Sequence, residues 1–193
     1  MDYGIVLQDF SRCFYHPVFD VDYRKNYEAG KFTSDFISAD DLLTRSGTAS
    51  TILIQGIRKG ESPDMNTVWV QVGYPETSVS VPLWVRGGEN IPLVLKYDTT
   101  LKNSPLNHYA MQWKKEVFPI GRSDGYHYLK MTKLVNPQKT GYLQRIENFE
   151  KGIFALTDEK LAAWRKALPK SSEIENFYQL LNKKIDDFYT VEK

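Results

Sequence analysis

The chain has 193 residues, 41% of them hydrophobic and 13% aromatic, which is enough for a sizeable core in one domain or in one domain with an extension. Its net charge of +1 gives no general case for nucleic acid or an anionic membrane as a partner. One cysteine excludes an internal disulfide framework, and the sequence shows neither a signal segment nor an apolar run of about 20 residues that could span a membrane. We therefore expect a soluble protein whose compartment remains open.

The first 43 residues predict short elements. We expect a strand over residues 4–10 and a short helix over residues 22–30 that ends at a glycine. Residues 31–37 suit an extended segment, and residues 38–43 suit a helical turn capped by a serine. Aromatic side chains are frequent between the first two elements and lack the interleaved Lys and Arg of a nucleic-acid platform, so we expect them in the core.

The central stretch predicts three consecutive strands. Residues 49–57 form a short, nearly continuous apolar run, which is typical of a strand covered on both faces. After a turn rich in Gly, Ser, Pro and Asp, residues 68–73 alternate valines with other residues, the period of a second strand. Residues 79–85 alternate in the same way, and Pro82 places that strand at a sheet edge or a bulge because proline has no backbone N–H. Together they predict an antiparallel meander.

The C-terminal half is predicted to be mainly helical. Ser104 suits an N-cap with proline at the first helical position, and that helix should end before Pro119. Residues 126–131 indicate a strand. Two further helices are expected, one opening at Pro137 and one capped by Thr157.

The last helix is expected to begin with a capping box of Ser172 and Glu175. It carries an apolar stripe at helical spacing, formed by Ile174, Phe177, Leu181, Ile185 and Phe188. One interpretation is a partner-binding or oligomerising helix. The other, which we favour, is docking on its own domain, since two short heptads are too few for an independent coiled coil.

Several short motifs of the central stretch also resemble one known superfamily. They are Thr48-Ala49-Ser50 at the entry to the first strand, Ile54-Gln55-Gly56-Ile57-Arg58-Lys59-Gly60-Glu61, Asn66-Thr67-Val68-Trp69, Gly73-Tyr74-Pro75 and Val81-Pro82-Leu83-Trp84-Val85. Over roughly residues 1–120 the chain is similar to the C-terminal portion of N-terminal-nucleophile (Ntn) hydrolases of the acyl-coenzyme A:6-aminopenicillanic acid acyltransferase and linear amide C–N hydrolase type. These motifs mark a scaffold and contain no catalytic signature.

The resemblance implies a four-layer αββα sandwich, of which this α+β chain supplies strands of one sheet and covering helices. Residues 1–136 would be the β-rich scaffold portion, and residues 137–193 a C-terminal helical extension packed on it. In such enzymes a chain-terminal Cys, Ser or Thr attacks an amide carbonyl, with its own free amine as the base. No cofactor and no metal is expected.

The terminal nucleophile is the point at which this sequence departs from that superfamily. The sequence opens with Met1-Asp2, so processing at Met1 would expose an aspartate. The one cysteine, Cys13, lies inside the chain among aromatic residues, where a small buried hydrophobe is the expected role. On this resemblance the half with the nucleophile is absent, and the chain would be a fragment, one product of a processed precursor or a degenerate relative. Whether it is itself an enzyme stays open.

Six residues are candidates for a substrate site. The superfamily places an arginine and small polar residues near the first strand of this stretch, where Arg45, Thr48 and Ser50 stand. Three aromatic residues could line an acyl pocket, with burial in the core as the alternative: Trp69, Tyr74 and Trp84. The histidines have no metal-type spacing and are expected to be structural.

Two functions follow from these patterns. The first is the scaffold portion of an amide hydrolase or acyltransferase, inactive alone, whose partner is a nucleophile-bearing half or a second copy, with a small-molecule amide as substrate of the complete enzyme. The second is a non-enzymatic α/β interaction module that engages a partner protein through its last helix and its basic half. That half, residues 101–193, contains 16 Lys and Arg residues and 11 Asp and Glu residues. They differ in one observable, because a half-sandwich leaves an apolar sheet face uncovered and a self-contained module covers it.

Overall fold

The computed structural model describes residues 2–122 and 125–190, which combine small antiparallel sheets with longer helices. The strands in these ranges are β1 (Tyr15–His16), β2 (Val21–Asp22), β3 (Phe36–Ser38), β4 (Ser50–Gln55), β5 (Thr67–Val72), β6 (Val81–Trp84) and β7 (Tyr128–Lys130). The α-helices are α1 (Tyr23–Glu28), α2 (Pro105–Val117), α3 (Met131–Leu134), α4 (Tyr142–Trp164) and α5 (Ser171–Thr190). The fold is therefore mixed α+β, as predicted.

The predicted meander is confirmed. Strands β4, β5 and β6 form one antiparallel sheet in that order, with Ile52 opposite Val70 and Val68 opposite Leu83. Pro82 lies on β6, an edge strand of this sheet, as expected for a residue that cannot donate to the ladder. Of the other strands, β1 pairs with β2, and β3 pairs with β7.

The inner face of the meander packs against the two long helices. Trp69 and Trp84 point to this side and are 0% and 4% exposed. The core they join includes Ile146, Ile153, Leu161 and Trp164 of α4 and Ile174, Phe177, Leu181 and Ile185 of α5. The apolar stripe of the last helix is thus used for docking on its own chain.

The outer face of the meander is different, because its two isoleucines are largely uncovered. Ile52 is 63% exposed and Ile54 70% exposed, whereas Leu53 between them packs on the core. Val68 and Val70, opposite them on β5, are half-buried and belong to neither core cluster. The outer face is covered at its other edge, because Val81 of β6, in the same row as Ile52 and Val70, is 0% exposed and belongs to the main core. The expectation that β4 is covered on both faces is therefore wrong for the described chain, and the uncovered part of the outer face is confined to the β4 edge.

A second core cluster surrounds the β3–β7 pair and the C-terminal end of α2. It contains Phe14, Tyr27, Leu42, Val117, Leu129 and Leu143 among others. Three elements that surround this cluster agree with the predictions from the sequence. Helix α1 is capped by the side chain of Asp22, α2 is capped by Ser104 with Pro105 next, and β7 lies within the predicted 126–131 strand.

The predicted strand at residues 4–10 is wrong, because Ile5–Phe10 forms a short π-helix. Leu7 is its buried residue, and the Ser11 hydroxyl donates to the Leu7 carbonyl at 2.7 Å. A run of apolar residues this short is compatible with the period of a strand and with that of a helix. Here the contact of one side of the segment with the core selects the helix. The turn predicted at residues 38–43 is also not helical, since Ser38 ends β3 instead.

Two helix boundaries differ from the prediction. The helices expected to open at Pro137 and Thr157 are one helix, α4, and the Thr157 hydroxyl donates within it to the Ile153 carbonyl at 2.8 Å. Helix α5 begins before the predicted capping box, because the Glu173 carboxylate accepts from the backbone N–H of Lys170 at 2.8 Å. The predicted break at Thr157 is therefore wrong, the first of these helices begins at Tyr142 and not at Pro137, and the start of α5 moves by one residue.

Candidate functional site

The turn between β5 and β6 is the most polar buried part of the molecule. Residues 73–82 are all buried, although they include a glutamate, a threonine and two serines. A buried turn leaves backbone groups that water cannot reach, so side chains from elsewhere must satisfy them. Three side chains that are distant in sequence do so here: Arg12, Glu150 and Tyr189.

A fully buried ion pair holds one side of this turn. The Arg12 guanidinium donates to both Glu150 carboxylate oxygens, at 2.8 and 2.9 Å, and both side chains are 0% exposed. Arg12 also donates to the carbonyls of Pro75 and Ser78, at 3.0 and 2.8 Å. The forked guanidinium thus ties the N-terminal segment, the turn and α4 together. Desolvation makes such a pair costly unless its geometry is good, and here four donated bonds compensate.

The other side of the turn is held by Glu150 and Tyr189. One Glu150 oxygen also accepts from the backbone N–H and the hydroxyl of Ser80, each at 2.7 Å. The Tyr189 hydroxyl donates to the Thr77 carbonyl at 2.8 Å and accepts from the Val79 N–H at 3.2 Å. Because Tyr189 lies near the end of α5, the last helix fixes this turn as well as covering the sheet.

Glu76 is the exception in this turn, because its carboxyl group has no hydrogen-bond partner of normal geometry. It is fully buried, and so is the neighbouring Tyr74, whose hydroxyl also lacks such a partner. The Thr44 hydroxyl lies beside that of Tyr74 and likewise makes no hydrogen bond of normal geometry. Desolvation raises the pKa of Glu76 to about 8 and that of Tyr74 well above its ordinary range. At neutral pH the Glu76 carboxyl is therefore mainly protonated.

Lys114 of α2 connects this buried group with the surface. Its ammonium donates to the Ser46 carbonyl and lies 5.5 Å from the centre of the Tyr74 ring, within range of a cation–π contact. Beside it is a cleft of about 280 Å³. The cleft is lined by Met111, Lys114, Lys115, Phe118, Pro119 and Tyr126.

Four of the six predicted site residues lie near this region. The loop with Arg45 and Thr48 is a turn in which the Arg45 N–H donates to the Thr48 hydroxyl at 3.1 Å, and the exposed Ser50 follows at the start of β4. The backbone of Gly73 donates to Ala49 at 2.8 Å, which brings the end of this loop beside Tyr74. The Arg45 side chain is exposed.

The two predicted tryptophans lie apart from that loop, in the main core. Trp69 stacks on Tyr3 with ring centres 4.7 Å apart, and its indole N–H donates to Gln55 at 3.2 Å. The Trp84 indole N–H donates to the Thr67 hydroxyl at 2.9 Å. Both side chains thus combine aromatic packing with a satisfied donor, which is the usual state of a buried tryptophan.

The histidines and the cysteine contact ordinary neighbours. His16 stacks on Phe19, and its ring lies 3.6 Å from an Asp41 oxygen. The His127 ring lies 2.8 Å from Asp40. Cys13 is a half-buried free thiol. Within residues 2–122 and 125–190, no group of three or more His, Cys, Asp or Glu side chains is arranged to hold a metal ion.

Sequence reasoning missed the residues that make this region unusual, and only one of them leaves a readable signal. Glu150 stands four residues after Ile146 and three before Ile153, so it is an acid on the apolar face of α4. Such a position predicts a buried partner. Arg12, Glu76 and Lys114 carry no comparable signal, because their neighbours come from distant segments.

Comparison with protein-family models, with curated proteins and with solved structures finds no match for this chain. In the described part of the chain, the helices are too short or too polar to traverse a lipid bilayer.

Proposed function

We propose that this chain is the scaffold portion of an Ntn-type amide hydrolase or acyltransferase, and that its outer sheet face is covered by a second β-layer bearing the nucleophile. The observation that carries the proposal is the asymmetry of the meander. Its inner face packs on α4 and α5, while Ile52 and Ile54 on its outer face stay 63% and 70% exposed. In an αββα sandwich two sheets stack face to face about 10 Å apart, each with helices behind it.

The apolar composition of β4 supports the same proposal. A run of Ile, Leu and Ile is typical of a strand buried on both sides, yet the described chain buries only one. Exposed apolar faces on a sheet edge favour association, and natural proteins usually protect them with charge or proline. No such residue stands between Ser50 and Gln55.

In the complete enzyme we assign a supporting role to this chain. The loop with Arg45 and Thr48 would help to orient the acyl group, and the second layer would supply the attacking side chain. The terminal amine of that attacking residue would act as the base. An acyl-enzyme would form, and the acyl group would then be transferred to water or to an amine. The buried ion pair of Arg12 and Glu150 would keep the β5–β6 turn rigid beneath that site.

The isolated chain is therefore expected to show no amide hydrolysis. Incubation with acyl-amino-acid and penicillin-type amides, followed by mass spectrometry of the products, tests this. Steady turnover that Cys13→Ala abolishes would place the nucleophile inside this chain and overturn the proposal. The matched control is Ser11→Ala, which removes a nearby hydroxyl that donates to the Leu7 carbonyl.

The second candidate, a self-contained interaction module, predicts a covered sheet and a free last helix. Two contacts of the described chain support the scaffold instead, since the stripe of α5 is buried and Ile52 and Ile54 at the β4 edge of the sheet are exposed. Deleting residues 170–193 separates the two. The scaffold account predicts loss of folding, because Tyr189 and Leu181 leave the core, whereas a module would stay folded and lose only a partner.

A further inference from the structure

The cleft beside Lys114 is separate from the outer sheet face and combines a charged wall with apolar walls. Lys114 and Lys115 stand on one side, and Met111, Phe118 and Pro119 provide carbon surface. Its volume of about 280 Å³ is just below the usual range of ligand pockets, which begins at roughly 300 Å³. The size suits a small molecule and is too small for a folded protein segment.

The charge of Lys114 is not balanced by an ionised neighbour. Its ammonium donates to a neutral carbonyl, that of Ser46, and contacts the face of the Tyr74 ring. The acid that acts on it is Glu76, and burial raises the pKa of Glu76 to about 8, so this carboxyl is largely neutral at pH 7. A half-buried cation without a counter-ion favours an anionic ligand.

The polar atoms behind Lys114 strengthen this reasoning. The carboxyl of Glu76 and the hydroxyls of Tyr74 and Thr44 are buried next to one another, and Tyr74 interacts with each of the other two without a hydrogen bond of normal geometry. Because Glu76 can hold a proton, a ligand carboxylate can occupy Lys114 without facing a second negative charge.

We propose that this cleft binds a small carboxylic acid with an apolar body, its carboxylate on the Lys114 ammonium and its body against Met111, Phe118 and Pro119. Two ammonium groups beside carbon walls, of which only Lys114 is half-buried, fit a monoanion of this type better than a phosphate, which is usually held by several converging donors or a helix N-terminus. The site is independent of the proposed second sheet layer.

The test is a titration of the isolated full chain with benzoate, followed by nuclear magnetic resonance, with benzamide as the neutral molecule of the same shape. We expect saturable shifts at Met111 and Phe118 with a dissociation constant on the order of 1 mM, and at least about tenfold weaker binding of benzamide. Equal binding of the two compounds, or no saturable shift, would overturn the proposal. This comparison needs no variant.

Variants locate the charge. Lys114→Met is expected to weaken benzoate binding about tenfold or more, and Lys114→Arg to retain it within a few-fold. The matched control is Lys115→Met, which removes a lysine from the same wall and should change the dissociation constant less than about twofold. Equal losses in the two methionine variants would show a diffuse effect of charge and reject the site. The outcome does not depend on whether the chain associates through its sheet.

Discussion

Replacing Ile52 and Ile54 together with lysine should abolish association through the outer sheet face while leaving the chain folded. Full burial of one isoleucine contributes roughly 1.5–3 kcal/mol. Since the two side chains are 63% and 70% exposed, covering both is worth about 2–4 kcal/mol for each copy of the chain. That free energy corresponds to a factor of roughly 30 to 1,000 in an association constant. Lysine gains none of it, because its ammonium stays in water.

The same substitution should have little effect on the stability of the isolated chain. Exposed positions usually change the free energy of unfolding by no more than about 0.5 kcal/mol each. Sedimentation velocity over a concentration series measures association, and urea unfolding measures stability. The matched control is Leu93→Lys/Leu168→Lys, at positions 61% and 49% exposed and away from the meander. A wild-type chain that stays monomeric at all concentrations, or a control that acts like the isoleucine variant, would refute the reasoning.

Three further predictions concern the buried turn. Arg12→Met leaves the buried Glu150 carboxylate without its ion-pair partner, which should lower the free energy of unfolding in urea by about 3–5 kcal/mol. The double variant Arg12→Met/Glu150→Met should recover part of that loss. Equal losses in the single and double variants would show that the buried charge is not the cause. The pKa of Glu76 is raised from 4.5 to about 8, so the folded chain keeps a proton that the unfolded chain releases. The contribution of Glu76 to the free energy of unfolding should therefore be complete below about pH 4.5 and fall by up to about 1.4 kcal/mol per pH unit towards pH 8. Glu76→Gln should flatten this part of the plot of unfolding free energy against pH. An unchanged slope in that variant would contradict the raised pKa of Glu76. Tyr189→Phe should cost about 1–3 kcal/mol by thermal unfolding, since it leaves a buried carbonyl and N–H unpaired, whereas Tyr97→Phe, at a position 68% exposed, should stay within about 0.5 kcal/mol.

The elements that local patterns determine could be predicted from the sequence. The alternating valines of β5 and the proline of β6 led to the correct meander and to the correct edge. Ser104 followed by Pro105 marked the start of α2. In each case the residues that determine the element lie within a short stretch of sequence, as a helix cap, a turn or an alternation of apolar and polar side chains.

Where tertiary contacts decide, the sequence was misleading or silent. The period of residues 4–10 is ambiguous, and burial of Leu7 selects a helix. The apolar run of β4 predicted two covered faces, because periodicity reports what a strand could bury and not what lies above it. Within the described chain Ile52 and Ile54 lack that second covering, and the proposed partner layer would supply it.

The candidate site was only partly predictable for the same reason. Tyr74 and the loop with Arg45 were selected through the resemblance, and the fold brings them near each other. Glu76 and Lys114 come together across 38 residues of sequence, and nothing in their local environments marks either as buried or half-buried. Such pairs become visible only once the helices and the sheet are packed.

The most direct test of the central claim is the intact mass and N-terminal sequence of this protein purified from its natural source, with any chain that co-purifies. The scaffold account predicts a longer precursor, or a partner chain that begins with Cys, Ser or Thr and whose complex with this chain hydrolyses amides. A lone species of 22.3 kDa that has no partner and turns over no amide would contradict it.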